Sequence, residues 1–351
     1  MQAVLSRKRK KLIPSLSNSA QELNITEGYT VDVSGRDFVL FNENLDSRIL
    51  AFGTEKNLEL LCQSKMVMMD GTFKSCPNIF SQLYTLHGEV RGQYMPLIFI
   101  FLENKKKDTY KRMLQLLKMR VSIIIPQIIF NPEFFMIDFE SAMIKSIEDE
   151  FPNSTIKGCL FHYCKAIWRY VQGNFNSLFR TNERVKRLVK NVFALSLTPI
   201  EKIDEAFEII FNNFSQNFDG NMEVIDNFKR YLSCNWLFSE ERSRSLWNHY
   251  GNFSHRTNNC AESFHSALNR KINACHPNIF ILIKHLKEIS HVNEVEIDLL
   301  LTGAQRRPRN SKYNLINQKI MQLTSEYQSN ILSLENFINA IGYQMKDFIN
   351  N

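Results

Sequence analysis

The sequence contains no hydrophobic run long enough to cross a membrane. Its most apolar stretch, residues 95–102, is followed by Glu103 and Lys105, whereas a membrane-spanning helix needs about 20 consecutive apolar residues. The basic N-terminus is not followed by the apolar segment that a secretory signal peptide requires. The sequence therefore predicts a protein that is neither secreted nor attached to a membrane.

The cysteines do not form a disulfide framework. There are 7 of them in 351 residues, an odd number without a repeating spacing, whereas small secreted domains carry even numbers at regular intervals. Internal repeats and low-complexity segments are also absent from the sequence. We therefore expect an intracellular protein with reduced thiols, long enough to bury a substantial core in about two domains.

Positive charge is concentrated in three short runs. The formal net charge is +7 at pH 7, and the runs lie within residues 7–11, 105–112 and 306–312. Any one of them alone is as readily a solvated surface patch. Three runs on a basic chain favour a nucleic acid as the partner and the nucleus as the location. The run at 7–11 fits either a nuclear import signal or an arm that contacts DNA.

The pattern of apolar residues predicts a mixed α/β fold. Three β-rich segments form an antiparallel meander, and a helix, a strand, a helix and a strand follow it. A hairpin and a short helix precede this core. The expected strands are residues 38–41, 48–53, 66–74, 81–90, 93–102, 134–138 and 155–161, and the expected helices are residues 57–64, 108–120 (capped by Asp108) and 141–151. This order is that of an RNase H-like fold, in which the strands at 66–74 and 134–138 lie side by side.

Beyond residue 164 the pattern becomes helical. The expected helices of this insertion are residues 165–171, 182–196, 200–218 and 222–234. A helix from Thr257, its predicted N-cap, to Ile272 follows, then one at 278–292 and a helical, polar tail past residue 310. The predicted organisation is a basic lead-in with N-terminal strands (1–60), the first part of an RNase H-like core (61–165), an α-helical insertion (166–250), the final part of the core (251–300) and a helical C-terminal tail (301–351).

Three acidic residues occupy distinctive positions in this arrangement. Asp70 and Asp138 each end an apolar run, and Glu262 lies near the start of the helix predicted at 257–272. A carboxylate at the end of a buried strand is costly to desolvate unless something cationic meets it. Since oxygen ligands favour Mg²⁺ or Mn²⁺ over zinc, the three carboxylates predict two such ions and phosphoryl transfer.

Four motifs resemble those of the Mutator-like element (MULE) DDE transposases. They are DGTFK at 70–74, DFE at 138–140, CLFH at 159–162 and RTNNCAESFH at 256–265. The resemblance covers roughly residues 35–300, with the motifs in the family's order. It implies cut-and-paste DNA transposition by an RNase H-like core that an α-helical insertion interrupts. It also implies that Asp70, Asp138 and Glu262 are the metal-binding catalytic triad, and that the protein works as a homodimer or a higher synaptic oligomer.

Several residues beside the triad are candidate DNA contacts. Lys74 is expected near the metal site, where it can contact the phosphate backbone. Arg256, Asn258 and His265 lie in the motif around Glu262. His265 follows Glu262 by one helical turn, and a plain surface histidine is the alternative interpretation.

Cys159 and His162 have the spacing of two zinc ligands. A tetrahedral site needs four ligands, which His249, His255 and Cys260 could complete, although their spacing is irregular. The alternative, which we favour, is a buried thiol with a histidine packed beside it.

Four further side chains have structural interpretations. Trp168, Trp236 and Trp247 are expected in the core rather than stacked on DNA bases. Glu140 is expected to start the helix that follows Asp138.

Two functions are favoured at this point over a third, a different nuclease or recombinase of the RNase H-like superfamily, because the motif at 256–265 resembles the Mutator-like group. The first is a Mg²⁺-dependent DNA transposase or nuclease, favoured by the three intact carboxylates. The second is a domesticated, transposon-derived nuclear protein that binds DNA or other proteins without transposition. The resemblance implies an N-terminal zinc finger, and no such Cys/His spacing precedes Asp70, which favours the second function.

Overall fold

The computed structural model describes residue 14 and residues 17–216, 218–253, 255–305 and 311–345. The basic runs predicted at 7–11 and 306–312 fall outside the residues whose side chains are described. Within these ranges, no helix combines the length and the apolar character needed to span a bilayer. None of the cysteines forms a disulfide in the described residues.

Seven strands form one mixed sheet within the described residues. The strands are β1 Val39–Asn44, β2 Arg48–Phe52, β3 Met66–Thr72, β4 Gln82–Val90, β5 Gln93–Leu102, β6 Phe134–Ile137 and β7 Thr155–Gly158. Their order across the sheet is β1-β2-β5-β4-β3-β6-β7. Strands β3, β4 and β5 form the predicted antiparallel meander, and the β1–β2 hairpin extends the sheet beyond β5.

The neighbour of β3 on its other side is β6. The two strands run parallel, with Met66 opposite Phe134 and Met68 opposite Met136. The prediction that these two strands are adjacent is therefore confirmed, together with the mixed α/β, RNase H-like fold class. This adjacency matters because the strands continue into Asp70 and Asp138.

Helices surround the sheet and make up the insertion. They are α1 Glu55–Gln63, α2 Lys107–Ile124, α3 Ser141–Glu150, α4 Leu160–Asn174, α5 Asn176–Thr181, α6 Glu183–Ala194, α7 Ile203–Ser215, α8 Met222–Leu232, α9 Arg244–Trp247, α10 Asn259–Ile272, α11 Ile279–Leu301, α12 Ser311–Gln328 and α13 Leu334–Gln344. Short 3₁₀ turns lie at Glu27–Tyr29, Leu195–Leu197 and Ile200–Lys202, and a π-helical turn lies at Ser233–Leu237.

The chain forms two compact units. The first comprises residues 1–156 and 258–306, and the second comprises residues 157–257 and 307–351. The first unit holds the sheet from β1 to β6. The second unit is helical and combines the predicted insertion with the C-terminal helices, because α13 packs against α6 and α7.

Phenylalanine and leucine each supply 6 of the 16 residues in a buried core cluster of the first unit. Phe52, Phe99 and Phe101 from β2 and β5 are fully buried and pack with Phe280 and Ile283 of α11. Burying each such side chain contributes about 1.5–3 kcal/mol. The core therefore holds α11 against the sheet.

The tryptophans lie in the core of the second unit. Trp236 and Trp247 are buried and both contact the ring of Tyr163, at centroid distances of 4.7 and 5.3 Å. Trp168 is also buried and packs on Phe179. The core interpretation of all three tryptophans is confirmed.

Some predicted boundaries are wrong. Helix α2 begins at Lys107, so Asp108 lies in its first turn instead of capping it, where its charge still suits the helix dipole. Helix α10 begins at Asn259 rather than near Thr257. Strand β7 ends at Gly158 because α4 starts at Leu160, which puts His162 on a helix. The tail is helical, but α13 buries an apolar face, so its prediction as polar is wrong.

Gly342 permits the close approach of α13 to α6. A Cβ at this position would clash with the Asn191 side chain and lie 3.2 Å from the Asn191 backbone nitrogen. Asn191 cannot easily yield, since its Nδ2 donates to Asn339 Oδ1 at 2.8 Å. We expect Gly342→Ala to destabilise the second unit by about 1–3 kcal/mol, measured as urea unfolding followed by tryptophan fluorescence, since all three tryptophans lie in this unit.

Gly173 provides the matched control for that prediction. It lies on α4 of the same unit, and a Cβ there would meet no described atom within 4 Å. Gly173→Ala is expected to stabilise the unit by up to about 1 kcal/mol, because alanine favours the helix. Equal shifts of the two variants would contradict the packing argument.

Candidate active site

Asp70 and Asp138 lie at matching positions on neighbouring strands. Each is two residues beyond the paired residues Met68 and Met136 of β3 and β6. Asp70 is 9% exposed and Asp138 is partly buried. Parallel strands end at the same edge of a sheet, so the two carboxylates share that edge, as the sequence predicts.

The first turns of α10 lie against these strand ends. Asn258, just before the helix, donates from Nδ2 to Asp138 Oδ1 at 3.1 Å. His265 lies with its Nδ1 3.1 Å from Asp70 Oδ2. Glu262 is four residues after Asn258 and three before His265, a spacing that puts all three on one helix face. The face of α10 that carries Glu262 is thus the face that contacts both aspartates.

The burial of His265 differs from the sequence interpretation. The residue is 6% exposed, because α10 turns this polar face toward the sheet. Its second ring nitrogen, Nε2, lies 2.9 Å from Thr85 Oγ1 on β4. The interpretation of His265 as a surface histidine is therefore wrong, and contact with DNA stays a prediction.

A fourth acidic residue lies close to the two aspartates. Glu140 precedes α3, as expected, but its carboxylate accepts from the Tyr110 hydroxyl at 2.9 Å instead of capping the helix. Burial raises the pKa of Tyr84 well above its usual value, and the nearby charges of Glu140, Asp70 and Asp138 raise it further. The tyrosine therefore stays protonated within the field of all three carboxylates.

Sequence reasoning missed the tyrosines beside this acidic site. Tyr84 and Tyr110 pack with ring centroids 5.7 Å apart, and Gln82 donates to the Tyr110 hydroxyl at 2.6 Å. No local pattern marks them, because β4 and α2 bring them together from distant parts of the chain. The sequence signal that points to them is Glu140, which lies two positions after Asp138 and accepts from the Tyr110 hydroxyl.

Comparison with known families identifies the segment that carries the two aspartates. Residues 66–166 match the family model of the MULE transposase domain. This segment is consistent with a MULE transposase domain. The match includes Asp70, Asp138, Cys159 and His162 and ends before Glu262. No curated protein matches the chain.

The MULE domain indicates a transposase-related function and implies binding to DNA. Its segment begins with β3 and runs through β6 to α4. The strand ends that carry Asp70 and Asp138 are therefore part of the matched domain, whereas α10 approaches them from outside it.

The three predicted metal ligands do not form a closed coordination set. Among the described residues, no group of three or more histidine, cysteine, aspartate or glutamate side chains could hold a metal ion. Asp138 accepts a hydrogen bond from Asn258, Asp70 lies 3.1 Å from His265 Nδ1, and Glu262 is partly exposed on the intervening turn. The donor set itself is all oxygen, which is the chemistry that Mg²⁺ and Mn²⁺ prefer.

Cys159 and His162 lie at the start of α4 in the second unit. Cys159 is fully buried, as the favoured alternative expects, and His162 is partly buried. His249, a candidate further ligand, has its Nε2 2.8 Å from the Gly158 carbonyl oxygen, and burial lowers its pKa to about 3. Zinc binding by Cys159 and His162 stays a prediction.

The two remaining candidate DNA contacts have different surroundings. The Arg256 guanidinium donates to the carbonyl oxygen of Asn252 at 3.4 Å and to Asn317 Oδ1, and burial lowers its pKa to about 10. It therefore remains charged at neutral pH while it joins two segments of the second unit. Lys74 is exposed just beyond the end of β3. Contact of either residue with DNA stays a prediction.

Proposed function

We propose that the chain is a DDE-type DNA transposase that cleaves DNA strands and joins them to a target. Asp70, Asp138 and Glu262 are the catalytic carboxylates in this proposal. Two contacts carry it: the hydrogen bond that Asn258 donates to Asp138, and the 3.1 Å approach of His265 Nδ1 to Asp70 Oδ2. They hold the Glu262 face of α10 over the two strand ends.

The oxygen-only donor set fits Mg²⁺ or Mn²⁺, and the proposal assigns two such ions to these carboxylates. When bound, the pair activates an attacking oxygen and stabilises the leaving oxygen at phosphorus. Hydrogen bonding does not disqualify the aspartates as ligands, because an ionised carboxylate offers about four lone-pair sites. Asp70 Oδ1 accepts from the Gly71 amide, and Oδ2 lies 3.1 Å from His265 Nδ1, so lone pairs remain on both oxygens.

An exposed basic corner next to Asp70 suits the DNA backbone. Phe73 and Lys74 are exposed, and the Lys105 ammonium lies 3.8 Å from the Phe73 ring centroid. We assign phosphate contact to Lys74 and Lys105. Three other cations of that basic run contribute less, because Lys107 and Lys111 pair with Asp149 and Arg112 pairs with Glu43.

The proposal includes an assembly and a location. Cutting two ends of a DNA element requires two active sites, so we propose at least a homodimer. A protein that acts on chromosomal DNA is expected in the nucleus, as the basic runs at 7–11, 105–112 and 306–312 favour.

A plasmid nicking assay tests the proposal. Incubating the chain with supercoiled plasmid in Mg²⁺ should produce open circles, and EDTA should suppress them. Mn²⁺ is expected to replace Mg²⁺, since both prefer oxygen ligands. A folded protein that leaves the plasmid supercoiled in either ion would overturn the proposed activity.

A transposon-derived scaffold that binds DNA without cutting it is the second candidate. It is favoured by the contacts of both aspartates within the chain, since His265 lies 3.1 Å from Asp70 and Asn258 donates to Asp138. Calorimetric titration with Mn²⁺ separates the candidates. The enzyme should bind Mn²⁺ and lose that binding in the Asp138→Asn variant, whereas the scaffold should bind DNA without binding the ion.

A further inference from the structure

A row of buried polar side chains leads from the centre of the sheet to Asp70. Thr85 and His87 of β4 are fully buried, and His265 of α10 is 6% exposed. The Thr85 hydroxyl oxygen lies 3.0 Å from His87 Nε2 and 2.9 Å from His265 Nε2. His265 Nδ1 in turn lies 3.1 Å from Asp70 Oδ2. Four residues from three elements thus form one connected row of polar side chains.

The contacts along this row determine which atom donates and which atom accepts in each hydrogen bond. Burial lowers the pKa of His87 to about 3, so the ring is neutral and carries one N–H. Among the described residues, His87 Nδ1 has no partner, and orphaned buried donors are rarer than orphaned acceptors. The proton therefore lies on Nε2, which donates to the Thr85 hydroxyl oxygen.

The remaining protons follow from that first assignment. Thr85 also lies 3.3 Å from the Asp70 backbone oxygen, a longer contact than the one to His265 Nε2. Its hydroxyl proton is therefore donated to His265 Nε2, which leaves the proton of His265 on Nδ1. Nδ1 is the nitrogen that faces the Asp70 carboxylate. The Thr85 hydroxyl thereby selects the tautomer of His265 that can donate to Asp70.

This row of polar side chains restrains the orientation of the Asp70 carboxylate. Oδ1 accepts from the Gly71 amide at 2.9 Å, and Oδ2 lies 3.1 Å from His265 Nδ1, the nitrogen to which the proton is assigned. A carboxylate held from both oxygens cannot rotate without breaking a hydrogen bond in a buried site, which is costly. Such outer partners orient ligating carboxylates before the ligand arrives.

We propose that Thr85 is a positioning residue, which acts through His265 to hold Asp70 in its catalytic orientation. This inference rests on the proposed role of Asp70 as a catalytic metal ligand. Thr85 itself touches neither the DNA nor the reacting atoms in this assignment. Its hydroxyl group is the essential feature, so the proposal distinguishes valine from serine at this position.

The test compares Thr85→Val with Thr85→Ser. Valine keeps the shape of threonine and lacks the hydroxyl, whereas serine keeps the hydroxyl. We expect Thr85→Val to weaken Mn²⁺ binding and to lower the kcat of plasmid nicking by about 10–100-fold, with the KM for DNA unchanged. Thr85→Ser should stay within about threefold of the wild type. Nitrogen NMR of labelled histidine should show the Nδ1–H tautomer of His265 in the wild type and its loss in Thr85→Val.

A second pair covers the case in which Thr85→Val does not fold. His265→Gln keeps a donor and an acceptor in one side chain, whereas His265→Leu keeps neither. Glutamine is expected to retain more Mn²⁺ affinity than leucine, by about tenfold.

The outcomes separate this inference from the proposed function. Equal Mn²⁺ affinity and kcat in the wild type, Thr85→Val and Thr85→Ser would overturn the positioning role alone. Equal losses in Thr85→Val and Thr85→Ser would overturn it as well, because packing rather than the hydroxyl would then be the cause. A wild type that neither binds Mn²⁺ nor nicks DNA would overturn the proposed function, and the positioning role with it.

Discussion

Replacing Asp138 with asparagine is expected to lower plasmid nicking by about a thousandfold or more while the chain stays folded. The change removes the negative charge that would hold a divalent cation. It keeps a carbonyl oxygen where the carboxylate accepts from Asn258, so the contact with α10 can persist. Asp70→Asn and Glu262→Gln are expected to show similar losses. The measurement is the rate of open-circle formation in Mg²⁺, with circular dichroism to verify folding.

Asp149→Asn is the matched control for this prediction. Asp149 is an exposed carboxylate of the same unit, paired with Lys107 at 2.9 Å and Lys111 at 3.1 Å. The substitution of Asp149 removes the same negative charge as Asp138→Asn, but away from the strand ends. It should leave the fold intact, because exposed ion pairs contribute little to stability. We expect wild-type nicking from this variant. Asp138→Asn with the activity of Asp149→Asn would contradict the catalytic assignment.

The stability of the second unit is expected to fall as the pH drops below about 6.5. His249 is 1% exposed, and burial lowers its pKa to about 3 in the folded chain, whereas an unfolded histidine has a pKa of about 6.5. Between these values the unfolded chain binds a proton that the folded chain does not, so acid favours unfolding. At pH 4.5 the difference is about two pKa units, which corresponds to about 3 kcal/mol.

Two variants test the contribution of His249. His249→Gln keeps an N–H donor for the Gly158 carbonyl oxygen without a titrating ring, so it should lose about 3 kcal/mol less than the wild type between pH 7 and pH 4.5. His291→Gln alters an exposed histidine and should lose as much as the wild type. Urea unfolding followed by tryptophan fluorescence gives both values. Identical pH dependence in all three proteins would contradict the assignment to His249.

Local sequence patterns predicted most of the fold because strands and helices have their own periodicities. The meander of β3, β4 and β5 follows from closely spaced β-rich segments, and α11 is capped by Asn278 where the sequence places its start. The errors lie at element ends. Residues 159–161 continue a β-rich stretch in sequence, yet α4 begins at Leu160, because the tertiary contacts of the helix outweigh local propensity there.

The sequence predicts which side chains belong to the candidate site, but it does not predict which of them contact one another. Helical spacing puts Asn258, Glu262 and His265 on one face, but the same spacing describes a solvated face equally well. Packing of α10 on β3 and β5 turns that face inward. The sequence likewise does not show that Arg112, in the basic run at 105–112, pairs with Glu43 from a distant strand.

Periodicity and order along the chain are sufficient to predict that β3 and β6 are neighbours, that Asp70 and Asp138 lie at their ends and that a helix carries Glu262. The partners of these groups depend on the tertiary structure: Asn258 for Asp138, His265 for Asp70, and Thr85 for His265. Thr85 and His265 are 180 positions apart in the chain, and they come into contact because both are buried, where polar groups need hydrogen-bond partners. Such pairings arise from folding and have no signature in the local sequence.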